Sequence, residues 1–182
     1  MRSLRAEHGF TLVELIVAMA FFGFMLALLS VGVLQIMRMY QSNLSSRRTQ
    51  QAARLAVEEI TREVRSASTA ETSNFLCLEG QTRVVLAMGG NNSLVKKSNA
   101  SDCSDISGAQ NIIDGSDSIQ LREFTYTAIQ AVGTVGASIQ FTLVVTTGDD
   151  ALLSGSDCSA GPGSQYCSST TYTNVVSLRG SQ

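Results

Sequence analysis

The sequence predicts an α+β protein in which a long N-terminal helix, first transmembrane and then amphipathic, packs on an antiparallel β-sheet head. Three observations predict it. Leu15 to Leu34 is an uncharged apolar run of about 20 residues. Apolar side chains then recur every three or four positions as far as Ala67, and beyond Ser66 short alternating runs sit between Gly, Ser, Asn and Asp stretches. The chain has 182 residues, room for one folded head of ordinary size once the anchor is set aside.

The first element is LIVAMAFFGFMLALLSVGVL, which at about 1.5 Å per residue spans the roughly 30 Å hydrocarbon core of a bilayer. Arg2, Arg5 and the amino terminus precede it. The positive-inside bias therefore places the N-terminus in the cytoplasm and the head outside, in a single pass through the inner (cytoplasmic) membrane. A secretory signal peptide carries a shorter apolar region followed by an A-x-A-like site. Here the suggestive small residue, Gly9, comes before the apolar run. Cleavage after it would remove a basic leader and keep the helix on the mature chain. Glu14 stands inside the apolar stretch, where a carboxylate costs about 2.5–3.5 kcal/mol at the helix centre and less near an interface. Such a group either snorkels to the surface or has a partner.

Beyond the membrane, Ala53, Leu55, Val57, Ile60, Val64 and Ala67 form the predicted apolar stripe of a helix that needs a packing partner, with a possible break at 41–46. Its charges read as a solvated face in which Glu58–Arg62 attract and Glu59–Glu63 repel. From Arg38 to Arg65 there are six Arg and three Glu, whereas past Ser66 five Lys or Arg face ten Asp or Glu. A basic stalk thus meets an acidic head. The expected segments are a leader at 1–9, the transmembrane helix at 10–37, the stalk helix at 38–68 and the head at 69–182. At least four strands are predicted, at 83–88, 117–127, 139–145 and 172–179, with the stretches 89–118 and 148–171 as long loops. A net charge of -2 gives no basic field, so nucleic acid is not the expected partner.

Cys77, Cys103, Cys158 and Cys167 all lie in the head, and the one His, His8, precedes Gly9. A Cys/His zinc site or a Cys-His nucleophile is therefore excluded from a chain cut there, and the even count reads as two disulfides in an oxidising compartment. Loop closure favours Cys158 with Cys167 and Cys77 with Cys103, while spacing leaves the other pairings open. No phosphate-binding loop, nucleophile elbow or paired-carboxylate motif is recognisable, and catalysis is not expected.

The residues GFTLVELIVAMAFFGF, Gly9 to Phe24, resemble the processing and methylation signature of type IV prepilins and type II secretion pseudopilins. The resemblance covers roughly the first 30 residues and implies that a membrane prepilin peptidase cuts between Gly9 and Phe10 and N-methylates the new Phe10 amine. It also implies that Glu14 faces that amine on a neighbouring subunit during assembly. The implied partners are this peptidase, other pilins or pseudopilins in a filament or tip complex, an inner-membrane assembly platform and membrane lipid. The stretch 27–34 lacks the Pro that many major pilins carry there. QQAARLAVEEITREVRSAS and YTNVVSLRG look like minor pilins of the W type and minor pseudopilins of the J type. These imply a structural subunit at the tip or in priming. The alternatives are a filament-tip binding module for adhesion or DNA uptake, or a simple membrane-anchored extracytoplasmic protein. No cofactor is expected. Asp114, Asp117, Asp149, Asp150 and Asp157 could ligate calcium, as loops of some pseudopilins do, but their spacing fits no EF-hand and reads better as turn chemistry.

Overall fold

The computed structural model describes residues 11–115, 119–129, 137–148, 152–155, 157–159 and 163–179. The chain divides into two units at Tyr40/Gln41, described in turn.

In the first unit every described residue is helical except Thr11, and none is buried. These residues open helix α1, Leu12–Ser66, and its apolar part is long enough to cross a membrane. The side chains are Leu, Val, Ile, Met and Phe on all sides, the composition of a helix whose solvent is lipid. Ser30 returns its hydroxyl to the Leu26 carbonyl at 2.8 Å, leaving no free polar group on that side chain in the apolar stretch.

Among the described residues, the second unit holds the rest of α1 and ten strands. The helix shows no break at 41–46: its turns continue there, and the Ser45 hydroxyl bonds the Ser42 carbonyl at 2.9 Å. Without Gly or Pro in that segment, nothing interrupts the ladder. The buried seam is Thr49, Ala53, Ala56, Ile60 and Val64, with Ala67 just past the helix end. Leu55, expected in the stripe, is instead 66% exposed, because it projects about 100° around the axis from Ala56. Two alanines at the seam let the backbone of α1 approach the sheets closely, and the Thr49 hydroxyl meets that of Thr147 at 2.8 Å in the interior.

Five strands form an antiparallel meander in the order β1-β2-β3-β4-β5: β1 Thr69–Thr72, β2 Leu76–Glu79, β3 Arg83–Met88, β4 Leu94–Ser98 and β5 Gln110–Ile113. A second antiparallel sheet has the order β10-β7-β6, built from β6 Gln120–Ile129, β7 Ser138–Thr147 and β10 Ser168–Ser177. The stretch 89–118, expected as a loop, therefore contains β4 and β5. Their four or five residues are too few for a clear alternation, and a bulge at Leu94/Val95 breaks the period further. Within 148–171, β8 Leu153–Ser154 and β9 Asp157–Cys158 form a two-residue ladder. The core runs from Ile60 and Val64 on α1 to Leu86, Leu94, Phe141 and Leu143 on the sheets. A smaller cluster of Cys77, Val85 and Ala100 lies apart from it. The helix end is tied down twice: Ser68 donates its amide to the Glu79 carbonyl (2.7 Å), and Arg179 donates to the Ala67 carbonyl (2.8 Å). Gly80 is required here, since a Cβ would stand 2.8 Å from the Ser66 carbonyl oxygen.

Candidate functional site

Thr11 stands immediately before the first residue of α1. The Glu14 amide donates to the Thr11 hydroxyl oxygen (3.3 Å), and Glu14 Oε2 accepts from both the Thr11 amide (3.1 Å) and its hydroxyl (2.9 Å). This reciprocal arrangement is a capping box: Thr11 is the N-cap, Glu14 the third helical residue, and donors left over at a helix start are satisfied. The carboxylate also sits at the positive end of the helix dipole. Thr-x-x-Glu is visible in the sequence, and reading Glu14 only as a carboxylate in search of a distant partner overlooks it. Gly9 and Phe10 lie outside the described residues.

On the stalk, the charges of α1 are not all solvated. Lys96 on β4 reaches between Glu59 and Glu63, bonding Glu59 closely and Glu63 Oε1 at 3.1 Å, with side-chain exposures of 14%, 22% and 15%. The two carboxylates expected to repel thus share a cation. Burial works against the charge on Lys96, but hydrogen bonds to Glu59 and Glu63 and their negative charge outweigh it and hold the ammonium pKa above the ordinary lysine value. Arg62 pairs with Glu59 (2.6 Å) and Glu63 (3.4 Å) rather than with Glu58. No sequence spacing reveals Lys96, which lies 33 residues beyond Glu63.

The four cysteines form two disulfides. Cys77–Cys103 joins β2 to the loop after β4, and Cys158–Cys167 joins β9 to the start of β10. Asp102 and Asp105 stand on either side of Cys103 and organise the loop. Asp102 Oδ1 accepts from the Ser104 amide and hydroxyl, and Asp105 Oδ1 accepts from those of Ser107. Both are self-contained turns of the Asx type. The Ser107 hydroxyl and amide, joined by the Ser101 hydroxyl, hold the Asp105 pKa down at about 2. Of the aspartates weighed as calcium ligands, Asp114 accepts from Asn111 Nδ2 at 2.9 Å and Asp157 lies on β9. Asp117, Asp149 and Asp150 fall outside the described residues. Among the described residues, no three His, Cys, Asp or Glu gather as a metal site would require.

Residues 4–33 match the family model for the prokaryotic N-terminal methylation motif. No curated protein and no solved structure matches the chain. The motif supports the type IV pilin and pseudopilin superfamily, and with it processing by prepilin peptidase and assembly with other pilins. Together with the apolar helix it also supports membrane anchoring.

Proposed function

We propose that the chain is a structural, non-enzymatic subunit of a type IV pilus or type II secretion pseudopilus, and within it a minor subunit of the tip or priming kind. The observation that carries the reading is the methylation motif over 4–33 joined to a helix whose only carboxylate in the apolar segment, Glu14, sits in its first turn. Cleavage between Gly9 and Phe10 removes Arg2, Arg5 and the other polar leader residues and creates a cationic, N-methylated amine at Phe10. That amine can meet Glu14 of a neighbouring subunit in lipid, where a carboxylate is stable only when paired or hydrogen-bonded. Before it arrives, Thr11 supplies the local donors. The basic leader orients the chain with its head outside the inner membrane. The absence of Pro at 27–34 and the W-like or J-like character of 50–68 and 172–180 favour a low-copy place over that of the bulk subunit. No calcium or other cofactor enters this role.

The test is processing followed by assembly. Gly9→Ala, or loss of the peptidase, should leave the leader attached and slow the chain on a gel. Glu14→Ala should be cut normally yet lower the number of filaments. Normal filament numbers both in the Glu14→Ala strain and in a strain lacking the protein would reject the priming role. Unchanged mobility and localisation without the peptidase would leave only a membrane-anchored extracytoplasmic protein.

A further inference from the structure

Two open hollows lie along one side of the stalk part of α1. The larger, about 460 Å³, is lined by Val57, Thr61 and Arg65 and, from β10, by Asn174. The smaller, about 190 Å³, lies against Arg47, Gln51 and Arg54. Arg47, Arg54 and Arg65 follow one another at seven and eleven residues, close to two and three helical turns. They therefore share one line along the axis, at intervals of about 10 and 16 Å. All three are exposed, and among the described residues none has a carboxylate partner. Half-buried Val57 gives the larger hollow an apolar floor, and the Thr61 hydroxyl in its wall is buried and unbonded. A buried hydroxyl left in that state is the kind of group that a seated side chain completes.

The charge on this helix also selects against one neighbour. Past residue 41, α1 carries five Arg and no Lys, against Glu58, Glu59 and Glu63. Lys96 holds Glu59 and Glu63, which leaves Glu58 to face the arginines. Two such stalks side by side would set arginine against arginine. The guanidinium fork instead matches carboxylates, which it binds in two-pronged fashion. A nucleic-acid strand fits poorly, because its phosphates repeat every ~3.4 Å and have no use for the apolar floor. A helix running parallel to α1 repeats at the same intervals as the three arginines and can meet all of them.

We propose, on the reading of the chain as a low-copy filament subunit, that this side of α1 seats the stalk helix of a different membrane-anchored subunit. That helix presents Glu or Asp to Arg47, Arg54 and Arg65, and an apolar side chain to the hollow beside Val57 and Thr61. Both chains leave one membrane in the same direction, so the helices run parallel and their intervals stay in step. Anchoring also supplies the effective concentration that a mostly polar contact needs. The arginine line thus does two things at once: it recruits an acidic stalk and keeps a second copy of this chain from taking its place.

The test uses the full chain in its own host, with the photoreactive residue p-benzoylphenylalanine at Gln51 or at Glu58 and irradiation of intact cells. Each position should give an adduct with one other polypeptide. Mass spectrometry should identify it as a chain whose apolar N-terminal helix continues into a stalk with carboxylates at these intervals. Arg54→Glu with Arg65→Glu should lower the adduct yield at least tenfold, and Arg54→Lys with Arg65→Lys less than threefold. Reversing the facing carboxylates of the partner to Arg should restore the yield for the Glu-substituted chain. Non-reducing gels confirm that Cys77–Cys103 and Cys158–Cys167 have formed in each variant. An adduct of two copies of this chain overturns the proposal, as does one that nuclease removes or one indifferent to charge reversal. No adduct from either position in a chain with both disulfides also overturns it. Leader removal and filament number are scored in the same strains. A processed chain that supports normal filaments without a charge-dependent adduct rejects the docking alone. An uncut chain rejects the filament reading, while a charge-dependent adduct with an anchored acidic partner still supports the docking.

Discussion

Replacing Lys96 by Met removes the one cation that β4 offers to α1 and leaves Glu59 and Glu63, 22% and 15% exposed, facing each other. Hydrogen bonds to charged groups contribute about 1.5–3 kcal/mol each, and stripping one partner from a buried pair costs about 3–5 kcal/mol. Arg62 still reaches both carboxylates, and their partial exposure screens them. The expected loss is therefore about 2–3 kcal/mol, which for a unit of this size lowers Tm by about 6–12 °C. Far-UV circular dichroism of the full chain in lipid nanodiscs, heated with and without the substitution, measures it. The pH dependence checks the cause. Because the folded pKa of Lys96 is raised, its contribution is complete below the unfolded lysine value of about 10.4 and is lost only as pH rises through the higher folded value. The gap between wild type and variant should stay constant from about pH 7 to 10 and close above that. Adding Glu59→Gln and Glu63→Gln to the Lys96→Met chain should recover most of the loss, since no unpaired charge is then left. A Tm change under about 2 °C, or a gap that closes between about pH 7 and 9, would refute the reasoning.

Ile60→Ala should destabilise by about 2–4 kcal/mol in urea unfolding, because Ile60 is fully buried, whereas Leu55→Gln should change stability by less than about 0.5 kcal/mol. Removing Cys77–Cys103, with a separation of 26, should cost about 3.5 kcal/mol, and removing Cys158–Cys167, with a separation of 9, about 2.6 kcal/mol, if both act through loop entropy. Reversal of that order in paired Cys→Ala variants would exclude an entropic account. The depressed Asp105 pKa gives the opposite pH sign to Lys96: the loop's hydrogen bonds are intact above the unfolded carboxyl value and are lost as pH falls through about 2. Amide exchange at Ser107, corrected for its intrinsic pH dependence, should accelerate over that acid range in the wild type and show no such transition in Asp105→Asn.

The fold class was legible because its strongest signals are long. The uncharged run, the helical periodicity and the alternation at Ile139, Phe141, Leu143 and Val145 each persist over several residues and dominate local noise. Arg83–Met88 emerged as β3 for the same reason. Hydrophobicity alone failed on the stalk, where it selected the large Leu55 over the small Ala56. Leu55 projects away from the seam that Ala53, Ala56, Ile60 and Val64 define, and side-chain size carries no information on that angle. β7 departs from simple alternation as well, since Val144 and Thr146 are buried on its second face. Lys96 was invisible because an ion pair across 33 residues leaves no periodic trace. Around Glu14, by contrast, the capping partner stood three residues away, and only a local motif was needed to find it.

Each bridge joins cysteines that are consecutive in the chain. Synthesis delivers a polypeptide from its N-terminal end, so Cys77 meets Cys103 some 55 residues before Cys158 emerges. Oxidation that simply follows the order of arrival then produces the native connectivity, without the slow exchange that reshuffles wrongly matched thiols. The second unit can thus be locked loop by loop as the chain emerges, with no need to wait on an isomerase.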